Sequence, residues 1–378
     1  MKILAIFLCF LLTFTGCSAT VDTQLSNRLI IEAIGIDAQE DGFLVSVLAL
    51  HTQQSNAANA TETQDSIGQV FSAKGESLSE AFAQIDLVSG LVPLYSQTRV
   101  LIFGKEIAEN EPMQALDFFI RNYTLRESIL LAVADAKASE IIETELEKNT
   151  LVSKNVQDIL ESGKNNGLTV AVELYQFVNR FLDETDAAYL PVIKTQENQS
   201  GKQEITHAGI ALFAQKNLTA VIDKDAAKGL LWTAGLLDND LLSIPFKGRT
   251  LSVAVKDCKS KIRLHKGVIP TFSAEIQFSC DLIEYNTDDT LLFNLQELED
   301  VNRELQKQVQ KITEEFIRTA IRENGCDCLS LLKKLRNGQP AYYAQIKDKR
   351  TDYLKDAVIT VQISSEILKT GREVVKPN

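Results

Sequence analysis

The alternation of apolar and polar positions predicts a β-hairpin at the start of the folded chain. Arg28 to Ile36 is apolar and partly β-branched, and residues 43–50 alternate between two largely apolar faces. Between these runs, Asp41-Gly42 is a favourable turn dipeptide. A strand that is apolar on both faces is usually covered on both sides, so we expect this hairpin inside a layered sheet.

Apolar runs and helix-spaced apolar positions then alternate as far as residue 194. Short apolar runs predict strands, and apolar residues spaced by three or four predict helices. The predicted strands are 100–103, 128–134 and 190–194, and the predicted helices are 78–85, 112–119, 140–148, 156–162 and 170–182. This alternation is typical of α/β layers, so we predict an N-terminal α/β region over 28–194.

A polar stretch at 195–205 predicts a linker, and a second region with a different pattern follows it. The strands predicted there are 208–213, 251–255, 261–264, 272–280 and 358–363, and the helices are 225–234 and 295–321. The second helix carries apolar residues every three or four positions over its whole length. We therefore predict a C-terminal α+β domain over 206–378, an antiparallel sheet packed with one long helix.

The first residues have the pattern of an export leader that ends at a cysteine. Lys2 supplies a positive charge, residues 3–14 are almost all apolar, and Thr15-Gly16 precedes Cys17. The apolar run is too short for a spanning helix, so we expect residues 1–16 to be a cleaved signal peptide. The ending resembles a bacterial lipobox, in which Cys17 is diacylated, and two acyl chains anchor a protein stably. Residues 17–27 would then be a lipidated tether; the alternative is an ordinary leader with an incidental cysteine.

Composition limits the kind of protein and its partners. The chain has 378 residues, 45% of them hydrophobic and 24% charged, which fits a folded protein of two or three domains. Its formal net charge of −12 disfavours binding to nucleic acid and to anionic lipid. No stretch after Cys17 is long and apolar enough to span a bilayer. Membrane residence is therefore expected from the lipid on Cys17 or from a protein partner.

Four cysteines remain once Cys9 has left with the leader and Cys17 has been lipidated. Cys258 and Cys280 flank a predicted hairpin turn near residues 266–268, and counting outward from that turn places them almost opposite each other. Export favours disulfides, so we predict a Cys258–Cys280 bridge. Cys326-Asp327-Cys328 is too closely spaced for an unstrained bridge, which leaves free thiols or a strained, reducible bond.

Motifs that carry chemistry are scarce. The sequence has no glycine-rich phosphate loop, no nucleophile-elbow motif and no zinc-protease motif. His51, His207 and His265 are far apart and none has metal-ligand spacing. We therefore expect neither an enzyme nor a bound metal or cofactor.

Short segments along the chain occur in an order that is typical of one known family. They are Ile34-Gly35-Ile36-Asp37, Leu101-Ile102-Phe103-Gly104-Lys105-Glu106, Leu116–Arg121 with the later Arg126, Gly209–Phe213, Gly229–Trp232, and Thr370-Gly371. Together with the lipobox, they resemble the Ger(x)C family, the lipoprotein C subunits of spore germinant receptors. The resemblance extends over nearly the whole chain.

The resemblance implies a place and a set of partners. It implies a lipoprotein on the outer face of the cell membrane, in spores the inner membrane, that assembles with integral-membrane A-type and B-type subunits and is required for nutrient germination. It also implies a three-domain architecture, so residues 28–194 would hold two subdomains. Asp117, Arg121 and Arg126 are charged positions around a helix and are candidates for docking a partner. The alternatives are a substrate-binding lipoprotein of an uptake system and an exported hydrolase.

Overall fold

A computed structural model describes residues 28–51, 68–121, 125–146, 150–285 and 293–370. The predicted signal peptide and Cys17 lie outside these residues. The strands are β1 Arg28–Gln39, β2 Gly42–His51, β3 Gln69–Gly75, β4 Val92–Leu94, β5 Val100–Phe103, β6 Leu130–Ala134, β7 Val172–Glu173, β8 Ala188–Glu197, β9 Gln203–Ala214, β10 Asn217–Asp223, β11 Asp240–Phe246, β12 Arg249–His265, β13 Thr271–Tyr285 and β14 Ile359–Lys369. The α-helices are α1 Leu78–Ser89, α2 Lys105–Asn110, α3 Pro112–Arg121, α4 Ala138–Ile142, α5 Val152–Asn165, α6 Leu174–Leu182, α7 Lys224–Ala234, α8 Leu295–Phe316, α9 Leu331–Gly338, α10 Pro340–Ile346 and α11 Arg350–Asp356.

The first sheet has the order β10-β9-β8-β6-β5-β1-β2-β3, with β4 beside β1 and β7 beside β6. Its central strands β1, β5, β6 and β8 run parallel, and antiparallel hairpins extend it on both sides. All residues of β5 and β6 are buried, because helices cover both faces of the parallel strands. The predicted α/β layer region is confirmed; its first hairpin turns at residues 40–41, one residue before the predicted Asp41-Gly42 turn, because Gly42 already pairs with Gln39.

The polar stretch at 195–205 is not a linker. Strands β8 and β9 pair antiparallel through most of it, from Glu197 opposite Gln203 to Ala188 opposite Phe213. Residues 198–202 form the tight turn between them, in which the Asn198 side chain accepts the backbone N–H groups of Ser200 and Lys202. The first sheet therefore crosses the predicted domain boundary and includes β9 and β10.

The second sheet has the order β11-β12-β13-β14 and carries α8 on one face. Its first three strands are antiparallel, and β14 joins β13 in parallel. Helix α8 begins where the sequence predicts, because Asn294 and Glu297 form a capping box. It continues into a π-helix over Ile317–Glu323. The predicted architecture of a sheet with one long helix is confirmed, although the sheet is mixed.

One hydrophobic core joins the two sheets. The same cluster of buried side chains contains Ile34 and Phe213 from the first sheet and Phe278 and Phe316 from the second sheet and its helix. Trp232 on α7 is fully buried between them, with its ring at 5.1 Å from that of Phe278 and its indole N–H donated to Asp240. Because burial of a tryptophan contributes several kcal/mol, Trp232 is a core anchor of the junction.

Candidate functional site

The Ile-Gly-Ile-Asp segment forms a buried polar cluster at the carboxyl end of β1. Asp37 is only 4% exposed, and its two carboxylate oxygens accept the backbone N–H groups of Ala138 and Ser139 at 2.7 and 2.8 Å. These N–H groups belong to the first turn of α4, about a hundred residues later in the chain. The carboxylate satisfies donors that have no partner within the helix and interacts favourably with the helix dipole.

Two glycines make room for this cluster. A Cβ on Gly104 would lie 2.1 Å from Asp37 Oδ1, and a Cβ on Gly35 would lie 3.0 Å from Ile142. Gly104 also donates its N–H to the carbonyl of Ile36. The glycines and the aspartate of these two segments are therefore required for packing α4 and the β5–α2 turn against the end of β1.

The three candidate docking residues lie on the surface. Asp117 and Arg121 form an ion pair across one turn of α3 at 2.8 Å, with side chains 46% and 78% exposed. Arg126 is exposed in the loop that follows α3. An exposed pair of this kind contributes only a few tenths of a kcal/mol to stability. Breaking this ion pair to bind a partner would therefore reduce the stability of the fold very little.

The predicted disulfide is wrong: Cys258 and Cys280 are both free thiols. A bulge between Lys256 and Lys259 shifts the register, so that Cys280 lies opposite Val255. Even a regular ladder counted from the His265–Thr271 pair would place Cys280 opposite Lys256, so the two cysteines are offset along the hairpin before the bulge shifts them further. Burial raises the pKa of the Cys258 thiol to about 12 and that of Cys280 to about 11.

Cys326 and Cys328 are buried free thiols at the junction of the two regions. Burial raises the pKa of Cys326 to about 11 and that of Cys328 well above the usual range of a thiol. Thiols of this kind are protonated and unreactive near neutral pH. This C-x-C segment is therefore a packing element.

A buried charge network connects the two regions, and we call it the junction network. Arg180 on α6 donates from Nη2 to Asp186 at 2.7 Å and to the carbonyl of Cys328 at 2.8 Å, and from Nη1 to the hydroxyl of Tyr189. Ser330 donates its hydroxyl to the second oxygen of Asp186 at 3.0 Å. Because Arg180 and Cys328 are 148 residues apart, the network ties the N-terminal α/β region to the segment before α9.

Further contacts extend the junction network toward the surface. Lys333 on α9 lies 3.2 Å from Asp183, and Arg336 lies 3.9 Å from the same carboxylate. The backbone N–H of Ala187 is donated to the carbonyl of Asp327. No local sequence pattern marks these residues, because each is an ordinary polar position whose partner is distant in the chain.

Asp327 is the most deeply buried carboxyl group of the junction. It caps α9 by accepting the N–H groups of Leu331 and Leu332 at 2.8 and 2.7 Å. Burial raises the pKa of this carboxyl to about 7, although the two N–H donors lower it. The unfolded chain would release this proton near pH 4, so the folded chain holds more protons between about pH 4 and 7.

We expect Asp327 to make the stability of the chain fall as the pH rises. Its contribution is fully present below about pH 4 and is lost as the pH approaches 7. Asp327→Asn cannot titrate, so the difference in free energy of unfolding between wild type and variant should change by about 3 kcal/mol between pH 4.5 and 7.5. Urea denaturation at both pH values measures this difference. For Asp348→Asn, an exposed control, the difference in free energy of unfolding from wild type should be the same at both pH values. If the wild type and Asp327→Asn showed the same change in stability between the two pH values, the assignment would be contradicted.

A pocket of about 350 Å³ lies beside Arg180, between α6 and α7. Its lining includes Val170, Tyr175, Tyr189, Leu231 and Leu236. The volume is within the range of small-molecule sites. Its most buried cation, Arg180, already binds Asp186 and the Cys328 carbonyl through Nη2. The Arg180 Nε has no hydrogen-bond partner among the described residues, and Lys164 is the other cation of the lining.

The side chain of His265 pairs with a buried serine. His265 Nε2 lies 2.8 Å from the hydroxyl of Ser273, across the β12–β13 hairpin. Ser273 is 1% exposed, so the pair cannot act on a substrate as it stands. Over the residues with described positions, no cluster of His, Cys, Asp and Glu is able to hold a metal ion. In the same residues, no helix combines the length and apolar character that a membrane span needs.

Two family models match the chain one after the other. The first, described as the spore germination protein N-terminal domain, covers residues 22–195, and the second, described as Spore germination B3/GerAC like, C-terminal, covers residues 208–371. The chain belongs to the GerAC family of spore germination proteins. The boundary between the two models falls in the β8–β9 hairpin, so the first sheet contains strands from both family domains.

Individual members of the GerAC family agree with this assignment. The spore germination protein GerQC of Bacillus cereus is 22% identical over 86% of this chain and 87% of its own length. The spore germination protein B3 of Bacillus subtilis is 21% identical over 79% of each chain. The crystal structure of the GerBC protein matches with a TM-score of 0.54 at 18% identity, over 89% of this chain and 96% of that chain. The fold is therefore that of GerBC.

Proposed function

We propose that the chain is the membrane-tethered C subunit of a nutrient germinant receptor, with a scaffold or coupling role and no catalysis. The observation that carries the proposal is the match of both family domains to almost the whole chain. The geometry agrees with it, because the family segments described above serve packing and capping. The relatives are named spore germination proteins, and the receptor role is inferred from them.

In this proposal the lipid on Cys17 holds the folded chain at the outer face of the spore inner membrane. Its partners there are an A-type multi-spanning subunit and a B-type transporter-like subunit. The junction network suits a coupling role, because it joins the N-terminal α/β region to the segment before α9, and α9 contacts β12 of the second sheet. A force or displacement applied to one region is then transmitted to the other.

The surface around α1 and α3 is our candidate for partner docking. The two helices pack through Phe82 and Phe118, whose rings are stacked at 4.9 Å. Leu87 on α1 is 73% exposed and Ile120 on α3 is 47% exposed. These exposed apolar side chains and the Asp117–Arg121 pair provide both apolar area and charge on the two packed helices for a protein partner.

A substrate-binding role is the second candidate function, and the pocket beside Arg180 is the observation closest to it. Binding proteins of uptake systems enclose a ligand between two similar lobes. Here the two regions differ, since one is a large α/β sheet and the other a four-stranded sheet with a long helix. We therefore favour the receptor subunit.

Cys17→Ala is expected to release a folded chain from the membrane. A mature chain without acyl chains has no group to insert into the bilayer. The described core begins at Leu29, so we expect the fold to be unchanged. Membranes from expressing cells are washed in about 1 M salt, which screens peripheral charge contacts, and the chain is then quantified in both fractions. We expect nearly all wild-type chain in the membrane and nearly all Cys17→Ala chain in the wash, with an unchanged unfolding midpoint. A wild-type chain that leaves with the wash would contradict the lipid anchor.

A further inference from the structure

The hairpin between β12 and β13 ends in an exposed apolar turn. Val268 is 93% exposed, the highest value among the large apolar side chains in the described part of the chain, and Ile269 beside it is 70% exposed. Single exposed apolar residues are common on protein surfaces. Two adjacent ones at the end of a long hairpin form a continuous exposed apolar area. We call residues 266–270 the hairpin tip.

The hairpin tip is held in a fixed position. The side-chain amide of Gln339, between α9 and α10, accepts the N–H of Gly267 at 3.3 Å and donates to its carbonyl at 3.0 Å. The preceding Gly338 lies so close to Leu264 that a Cβ there would approach its methyl group to 2.5 Å. Because the turn is already ordered, binding through it has a small conformational-entropy cost.

These contacts bring together two basic stretches of the chain, one in the hairpin and one around α9 and α10. Residues 256–266 and 331–350 together contain eleven Lys and Arg against two Asp, in a chain of formal net charge −12. The fold thus concentrates positive charge around the hairpin tip, while the remainder of the chain is strongly acidic. The net charge of the whole chain therefore does not describe the charge around the hairpin tip.

Several of these cations face solvent without an acidic partner. Lys259, Lys261 and Arg263 alternate along β12 and are exposed on one face of the sheet. Arg263 pairs with Glu275, whereas Lys259 and Lys261 have no ion pair among the residues with described positions, and neither does Lys266 at the tip. Their charge is therefore available to an external anion.

We propose that the hairpin tip and its flanking lysines bind the surface of an anionic lipid bilayer. The apolar pair Val268 and Ile269 would enter the headgroup region, and Lys259, Lys261 and Lys266 would lie among the lipid phosphates. Apolar insertion combined with basic side chains is the usual chemistry of interfacial attachment. This contact is independent of the lipid on Cys17 and would fix the orientation of a chain that is tethered at only one point.

The test measures binding to vesicles by flotation in about 0.1 M salt. The protein is the chain from residue 17 onward with Cys17→Ala, so that neither leader nor lipid contributes. Vesicles contain either phosphatidylcholine alone or phosphatidylcholine with about a third phosphatidylglycerol. We expect binding to the anionic vesicles only. Replacing Lys259, Lys261 and Lys266 together with glutamine should weaken it about a hundredfold, and Val268→Ser with Ile269→Ser should weaken it about tenfold.

Matched controls use positions away from the hairpin. Glutamine at the exposed Lys74, Lys137 and Lys216 removes the same charge, and Leu295→Ser removes an apolar side chain that is 82% exposed. Both controls should bind as the parent does. A Val268→Trp variant adds a direct readout: its emission should shift to shorter wavelength with anionic vesicles, since the native Trp232 is buried.

Three results would overturn the proposal. The first is equal binding to both kinds of vesicle. The second is an equal loss of binding to the anionic vesicles in the hairpin variants and in the control variants. The third is no binding to the anionic vesicles. If the Val268 and Ile269 variants then also lose co-purified membrane proteins, the tip is a protein-docking surface. The vesicle measurements do not bear on membership of a germinant receptor, since the vesicles contain no other protein.

Discussion

Replacing Asp37 with alanine is expected to lower the free energy of unfolding by about 3 kcal/mol. The substitution leaves the N–H groups of Ala138 and Ser139 buried without an acceptor and removes a charge from the first turn of α4. Burial prevents water from replacing the carboxylate, because Asp37 is 4% exposed. Urea denaturation followed by circular dichroism measures the change.

The controls for Asp37 separate its carboxylate from its position. Asp37→Asn keeps one acceptor oxygen and should lose about half as much stability. Asp135→Ala removes an exposed aspartate near the same edge of the sheet and should cost less than about 0.5 kcal/mol. If Asp37→Ala were as mild as Asp135→Ala, the Ile-Gly-Ile-Asp segment would have a role other than capping α4.

Arg180→Met is expected to destabilise the chain by about 3 kcal/mol and to weaken the coupling between its two regions. Methionine preserves most of the apolar stem but removes the donors to Asp186, Tyr189 and the Cys328 carbonyl. The Asp186 side chain, 7% exposed, would then remain as a buried charge without its cation. Differential scanning calorimetry should show the single transition of the wild type broaden or divide.

Arg121→Met is the matched control for Arg180→Met. Each arginine lies on a helix and pairs with an aspartate, but the side chains of Arg121 and its partner are 78% and 46% exposed. Solvent and salt weaken such a pair, so this control should cost less than about 0.5 kcal/mol and keep one sharp transition. Equal effects of the two variants would show that the junction network contributes no more than a surface ion pair.

Local signals account for the elements that sequence analysis placed well. The capping box at Asn294 and Glu297 determines the start of α8, and the apolar residues at three- and four-residue spacing determine the face that it buries. The wholly apolar run 100–103 is a strand because both faces of β5 are covered. In each case the residues that determine the element lie in it or within a few positions of it, so the element can be predicted from the sequence.

Predictions failed where distant or irregular pairing decides the structure. The polar run 195–205 has the composition of a linker, but a tight hairpin turn requires the same residue types. The bulge near Asp257 changes the residue that lies opposite Cys280, and no residue type in the sequence predicts this bulge. Helices α9 to α11 are short and depend on contacts with the hairpin and the junction network. Arg180 and Cys328 meet only through the complete fold.

The central claim is that the chain is the lipid-tethered subunit of a germinant receptor, and affinity purification from spore membranes tests it most directly. The tagged full-length chain is isolated in mild detergent from spores that express it, and its partners are identified by mass spectrometry. We predict two integral-membrane proteins in amounts comparable to the chain, one multi-spanning A-type subunit and one transporter-like B-type subunit. Recovery of the chain alone, or with the permease of an uptake system, would contradict the claim.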